Sequence, residues 1–154
     1  MLKNLFGFVL IAVTICACAS TKNVKTEIMT QGITGTVIEI VGNQMPMKGE
    51  DVLKPKGIQV EVLVYEKTNI NQVAKDQTTG LFTNITTKKI ATVVSDSAGT
   101  FSIALPVGVY SLFIKIGNSY YANLFNQFND IQTVVVNSGT ITVTTLHINR
   151  KAVY

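Results

Sequence analysis

Apolar and polar residues alternate with a period of two along most of this chain. Ile58, Val60, Val62 and Val64 share one face of a strand, with Gln59 and Glu61 on the other. Phe101, Ile103 and Leu105 alternate with Ser102 and Ala104, and Tyr110, Leu112, Ile114 and Ile116 with Ser111, Phe113 and Lys115. Successive side chains of a strand point to opposite faces, so this alternation predicts half-buried strands. The same reading places further strands at 33–41, 89–95, 131–136 and 140–148. All are short, rich in β-branched residues and bounded by Gly, Asn, Asp or Pro, the pattern of an all-β sandwich. In the last strand the apolar phase slips, from Ile141 and Val143 to Leu146 and Ile148. One extra residue near Thr144-Thr145 would restore the register, which predicts a β-bulge there.

Two turns are chemically specified. In Asp96-Ser97-Ala98-Gly99 the carboxylate can bond its own backbone, and glycine is free to take a positive φ. Leu105-Pro106-Val107-Gly108 has Pro at the second position and Gly at the fourth, as a type I turn prefers. Tyr110 follows that turn at the start of a strand, the position of the tyrosine corner in Greek-key sandwiches.

The N-terminal stretch has a different pattern. Lys3 precedes an uncharged run of 13 residues from Leu5 to Ala17, too short for the roughly 20 apolar residues that span a bilayer. A basic start, a short apolar run and small residues before a cut make a secretory signal. Ile15-Cys16-Ala17-Cys18 resembles the lipobox of bacterial lipoproteins. The resemblance implies cleavage before Cys18, with diacylglycerol on its sulfur and a further acyl chain on its new amino group. More than one acyl chain holds a soluble domain on a bilayer stably, whereas one does so marginally. The expected organisation is therefore a signal peptide over 1–17, a lipid-anchored tether over 18–31, one sandwich over 32–149 and a tail over 150–154. Fully extended, the 13 residues 19–31, a stretch rich in Lys and Thr, reach at most about 45 Å.

Charge and cysteine usage narrow the function classes. Cys16 would leave with the signal and Cys18 would be acylated, so a disulfide framework, a thiolate metal site and a cysteine nucleophile are excluded. Removing Lys3 takes the net charge from +4 to +3. Lys88-Lys89 and Arg150-Lys151 are the basic doublets, and no basic stripe with interleaved aromatics marks a nucleic-acid interface.

Gly35-Thr36-Val37, Gly42-Asn43-Gln44-Met45-Pro46, Asp96-Ser97-Ala98-Gly99-Thr100-Phe101 and Leu105-Pro106-Val107-Gly108-Val109-Tyr110 occur in that order. Residues 32–148 thereby resemble the carboxypeptidase regulatory-like domain, a transthyretin-like and Cna-B-like fold. The resemblance implies an Ig-like Greek-key sandwich of about seven strands that serves as an accessory, binding or stalk module without catalytic residues. A longer connection at 47–57 and a polar insert at 69–87 depart from the family pattern. Some Cna-B-type domains cross-link a first-strand Lys to a last-strand Asn. The strand at 33–41 has no Lys, so no such bond is expected.

The residues themselves offer little catalytic chemistry. His147 is alone, and no nucleophile elbow accompanies it. Glu50-Asp51 reads as a solvated turn, and Met45-Pro46-Met47, two thioethers suited to Cu(I), falls on the family's own turn. No metal, cofactor or enzymatic activity is expected. Asp96-Ser97-Ala98 is similar to the acceptor of some Gram-negative periplasmic O-glycosylation systems, which makes Ser97 a candidate for modification. Asn84-Ile85-Thr86 matches the N-glycosylation pattern, which bacterial lipoproteins rarely use. In Tyr120-Tyr121-Ala122-Asn123-Leu124-Phe125-Asn126-Gln127-Phe128-Asn129 aromatics alternate with amides, so Tyr120, Tyr121 and Phe125 are candidates for binding glycan or peptide. Helical spacing of Tyr121, Leu124, Phe125 and Phe128 points instead to a cap on the sandwich, with Phe125 and Phe128 buried and Tyr120 facing outward. Ala19 and Ser20 lack the acidic residue of inner-membrane retention. The expectation is a monomeric, non-enzymatic module on the outer membrane through Cys18, on the periplasmic face in preference to the cell surface. Its expected partners are an envelope complex or, alternatively, a glycan or peptide.

Overall fold

The computed structural model describes residues 29–45 and 54–154. In chain order these form β1 (Gly32–Asn43), β2 (Lys56–Gly57), β3 (Glu61–Glu66), a 3-10 turn (Ile70–Gln72), β4 (Ala74–Lys75), β5 (Phe82–Thr83) and β6 (Lys89–Val94). There follow β7 (Thr100–Ala104), β8 (Gly108–Ile116), β9 (Ser119–Tyr121), β10 (Thr133–Val136) and β11 (Ile141–Val153). The fold is all-β, as the alternation predicts, in a sheet of four strands and a sheet of seven. Beyond the seven expected strands stand the short β2, β4, β5 and β9.

In the four-stranded sheet β1 is central. It pairs in parallel with β11 on one edge and antiparallel with β7 and β2 on the other. In the larger sheet the order is β4-β5-β9-β8-β3-β6, with β10 also on β8. The inner faces of the two sheets meet in a core of Ile33, Val37, Leu146 and Ile148 from one side and Val62, Val64, Leu112 and Ile114 from the other. Burying such side chains contributes about 1.5–3 kcal/mol each relative to leaving them exposed.

Close approach fixes two glycines. A Cβ on Gly35 would stand 2.6 Å from the Thr144 carbonyl and 2.8 Å from the Phe101 ring, so only glycine lets β1 sit under that ring. Gly99, at φ +82°, ends the turn that Asp96 organises by accepting from the Ala98 and Thr100 N–H groups. At the start of β8 the Tyr110 hydroxyl donates to the Pro106 carbonyl at 3.0 Å, the bond expected of a tyrosine corner.

The larger sheet is buried on both faces. Val62 to Tyr65 and Tyr110 to Ile114 are unbroken buried runs. Leu63, Tyr65 and Phe113 point away from the sandwich interior into a second core with Phe82, Ala122 and Ile131. The insert at 69–87 covers them, contributing Ile70, Val73, Phe82 and Ile85. Tyr65 meets Phe113 edge-on at 5.5 Å, and Phe113 meets Phe82 at 6.0 Å. Burial and the neighbouring Tyr120 hydroxyl push the Tyr65 phenol up to about 12.

Three expectations are corrected. The phase slip in the last strand is not a bulge at Thr144-Thr145, where pairing with β1 is regular. Thr142, Thr144, Leu146 and Ile148 turn inward, leaving Ile141 and Val143 to face solvent. The register shift comes later, between the Glu39–Ile148 and Val41–Lys151 pairs, and gives β11 one extra residue. Residues 150–153 are not a tail, because β11 continues through them to Val153. The strand expected to begin at Ile58 begins at Glu61, since Ile58 and Val60 are held instead through Ser95. The Ser95 hydroxyl accepts from the Val60 N–H and donates to the Ile58 carbonyl.

Candidate functional site

β9 and β10 lie end to end on one edge of β8. Tyr121 opposes Ile114, so a continuous strand would bring residue 124 opposite Ser111, yet Thr133 stands there. Nine residues are therefore looped out between them. The loop is itself a small hairpin: Phe125 bridges Ile131, the Gln132 N–H donates to the Leu124 carbonyl, and the Asn126 N–H donates to the Asp130 carbonyl. Asn129, at φ +62°, reverses the chain at the tip, a conformation asparagine tolerates well.

Polar side chains brace this hairpin through a network of hydrogen bonds. The Asn126 Oδ1 accepts from the Phe128 and Asp130 N–H groups, and its amide donates to Asp130 Oδ2. Asn69 donates to the Phe128 carbonyl at 2.7 Å and to Asp130 Oδ1 at 3.1 Å. Lys67 lies 3.5 Å from the same carboxylate. Hydrogen bonds from Asn126 and Asn69, reinforced by the Lys67 charge, hold Asp130 below the usual carboxylate range. Ile131, fully buried, pins the base of the hairpin in the second core, and its N–H donates to the Thr68 carbonyl.

Three other apolar residues of the hairpin are exposed. Leu124 is 57%, Phe125 46% and Phe128 67% exposed. Phe125 keeps an edge contact with Phe82 at 6.3 Å. Beside them a cleft of about 150 Å³ is lined by Leu124, Phe125, Asn126, Gln132 and Thr133. Gln132 is 7% exposed and strained at φ +42°; among the described residues its side-chain amide makes no hydrogen bond. Strained backbone of this kind is often found where a site is shaped for a ligand.

The structure reverses the expected roles of the aromatics. Phe125 and Phe128 do not cap the sandwich, because the chain makes a hairpin here and the helical spacing is never realised. Tyr120 does not face freely outward: it packs into the second core edge-on to Tyr65 and Phe113. Tyr121 is buried in the main core, its hydroxyl donating to Asn149 Oδ1. Of the three candidate binding residues, only Phe125 stands on the exposed face. Leu124, part of the aromatic and amide run, is exposed beside it, and Gln132, which the sequence pattern does not mark, lines the adjoining cleft. The run Asn126-Gln127-Phe128-Asn129-Asp130, dense in turn formers, was the available signal for a hairpin.

The other candidates lie elsewhere. Ser97 is exposed in its turn, and His147 is exposed on β11. Asn84 is exposed at φ +48° while Ile85 packs inward. Cys18, Pro46, Met47, Glu50 and Asp51 lie outside the described residues. Among the described residues no three His, Cys, Asp or Glu side chains converge on a metal position, and no helix is long and apolar enough to cross a membrane. Comparison of the chain with family models, curated proteins and solved structures returned no match.

Proposed function

We propose that this chain is a non-enzymatic, lipid-anchored envelope module that docks a partner protein through the hairpin at 124–133. The observation that carries the reading is the exposure of Leu124, Phe125 and Phe128 on a loop that buried Ile131 and the Asn126–Asp130–Asn69 network hold fixed. Exposed apolar clusters of this kind mark interaction surfaces, and aromatic anchors dominate binding energy at them. Rigidity adds affinity, because little conformational entropy is lost on docking. A peptide or protein surface suits the site better than a sugar. Asn126 spends its amide inside the hairpin, which leaves Gln132 and Thr133 as the polar residues that line the cleft.

The placement on a membrane rests on the lipobox-like Ile15-Cys16-Ala17-Cys18. The kinship with carboxypeptidase regulatory-like, Ig-like Greek-key domains rests on the ordered turn and strand motifs, and the two-sheet core and the Tyr110 bond support it. The chain then acts as a tethered monomer on the periplasmic face of an outer membrane. A photo-crosslinking amino acid in place of Phe128 tests the docking surface, with the same group in place of Ser97 as control. A discrete adduct from position 128, lost when Leu124→Ser and Phe125→Ser are added, is the expected result. Equal adducts from both positions would remove the hairpin from the proposal.

A further inference from the structure

The two ends of the sandwich are closed differently. At the end where β1 and β8 begin, Leu105 and Tyr110 are buried and seal the core. At the end where β8 and β11 run out, the described residues leave a pit of about 390 Å³ between the sheets. Ile58, Val60, Ile116 and Ile148 make its apolar walls, continuous with the main core. Glu39, Lys115, Arg150 and Lys151 make its rim.

The rim carries an excess of positive charge. Lys151 lies 3.1 Å from Glu39, and Lys115 lies 3.0 Å from Glu61. Among the described residues Arg150 makes no ion pair. The extra residue in β11 explains how two consecutive cations come to share this rim. In a regular strand Arg150 and Lys151 would point to opposite faces. The register shift beyond Ile148 redirects one of them, so that Ile148, Arg150 and Lys151 all line the pit. Bulges recur beside sites because they re-aim a side chain in this way.

We infer that this pit binds a medium-length alkyl carboxylate, with the chain between the sheets and the carboxylate on Arg150. An apolar cavity of about 150 Å³ takes up benzene. A pit more than twice that size accommodates an extended alkyl chain, and four aliphatic side chains give it apolar walls. The guanidinium offers a carboxylate two parallel N–H donors, and the Lys115 and Lys151 charges add attraction at the mouth. This inference is independent of the hairpin at 124–133, which lies on the outer face of the larger sheet.

The test is a titration of the full chain with carboxyl-labelled decanoate, followed by carbon NMR of the carboxyl group. The expected result is a saturable bound signal whose carboxyl stays ionised to lower pH than decanoate dissolved in detergent or lipid. Arg150→Gln, at an exposed position, should weaken decanoate binding by roughly tenfold or more, the loss of a charged hydrogen bond. It should leave the weaker binding of decanol unchanged. Ile58→Trp, which fills the pit, should abolish both, and Phe125→Ala should affect neither. The inference falls if no saturable signal appears below the micelle concentration. It falls equally if decanol binds as tightly as decanoate, if Arg150→Gln binds like the parent, or if Phe125→Ala is the variant that loses decanoate.

Discussion

At the Tyr110 hydroxyl, one hydrogen bond ties the start of β8 back to Pro106 from within the core. Pro106 is exposed, so water can replace the lost donor at its carbonyl, and Tyr110→Phe should cost about 0.5–1.5 kcal/mol, read as a lower denaturant midpoint at constant slope. The hairpin provides a sharper contrast between neighbours. Ile131→Ala opens a cavity under the hairpin and should cost about 2–5 kcal/mol. Phe128→Ala, three residues earlier, removes a ring that is mostly in water and should change stability by about 0.5 kcal/mol or less. Tyr110 was legible in the sequence because a Pro-x-Gly turn fixes where the strand starts and which way its first ring points. Phe128 was not: alternating aromatics and amides fit a helix face, a strand and a hairpin equally well. What decides among them is the long-range pairing of β9 and β10 with the same edge of β8.

The hairpin, as an element, depends on one ionised carboxylate. Asp130 titrates below its ordinary value in the folded chain, so the stability it contributes is fully present well above pH 3.8 and is lost as the pH falls through and below 3.8. Asp76 is also lowered, by N–H donation from Thr79 and Thr78 in its own turn. Asp130→Asn should therefore flatten the acid limb of a stability profile and raise hydrogen exchange at 124–131, whereas Asp76→Asn should leave the exchange there unchanged. The alkaline limb reads the second core. Tyr65 is raised, so its contribution is complete below pH 10 and is lost as the pH rises from 10 through about 12. Tyr65→Phe should flatten that limb. Strands with one wet face, such as β7 with exposed Ser102 and Ala104, were readable from alternation alone. In β3 and β8 alternation revealed one buried face and concealed the other, because Leu63, Tyr65 and Phe113 are covered by an insert whose polar sequence gives little sign of packing. In β11 the outward Ile141 and Val143 imitate a break in phase that the backbone does not have.

For the molecule as a whole, attachment comes first. Cys18→Ser should leave unprocessed precursor and abolish acyl labelling of the chain. Labelling that persists in that variant would remove the membrane from the proposal.

The parallel ladder between β1 and β11 has a mechanical consequence. It joins Gly32 to Ile141 at one end and Asn43 to Val153 at the other. A pull that holds the chain before Gly32 and draws it beyond Val153 slides the two strands past each other, loading the hydrogen bonds together instead of peeling them one at a time. A domain strained along that line should yield only at high force, and abruptly. The same domain gripped at Gly32 and Ile141 should unzip gently, and stretching single molecules by each pair of handles would measure the difference.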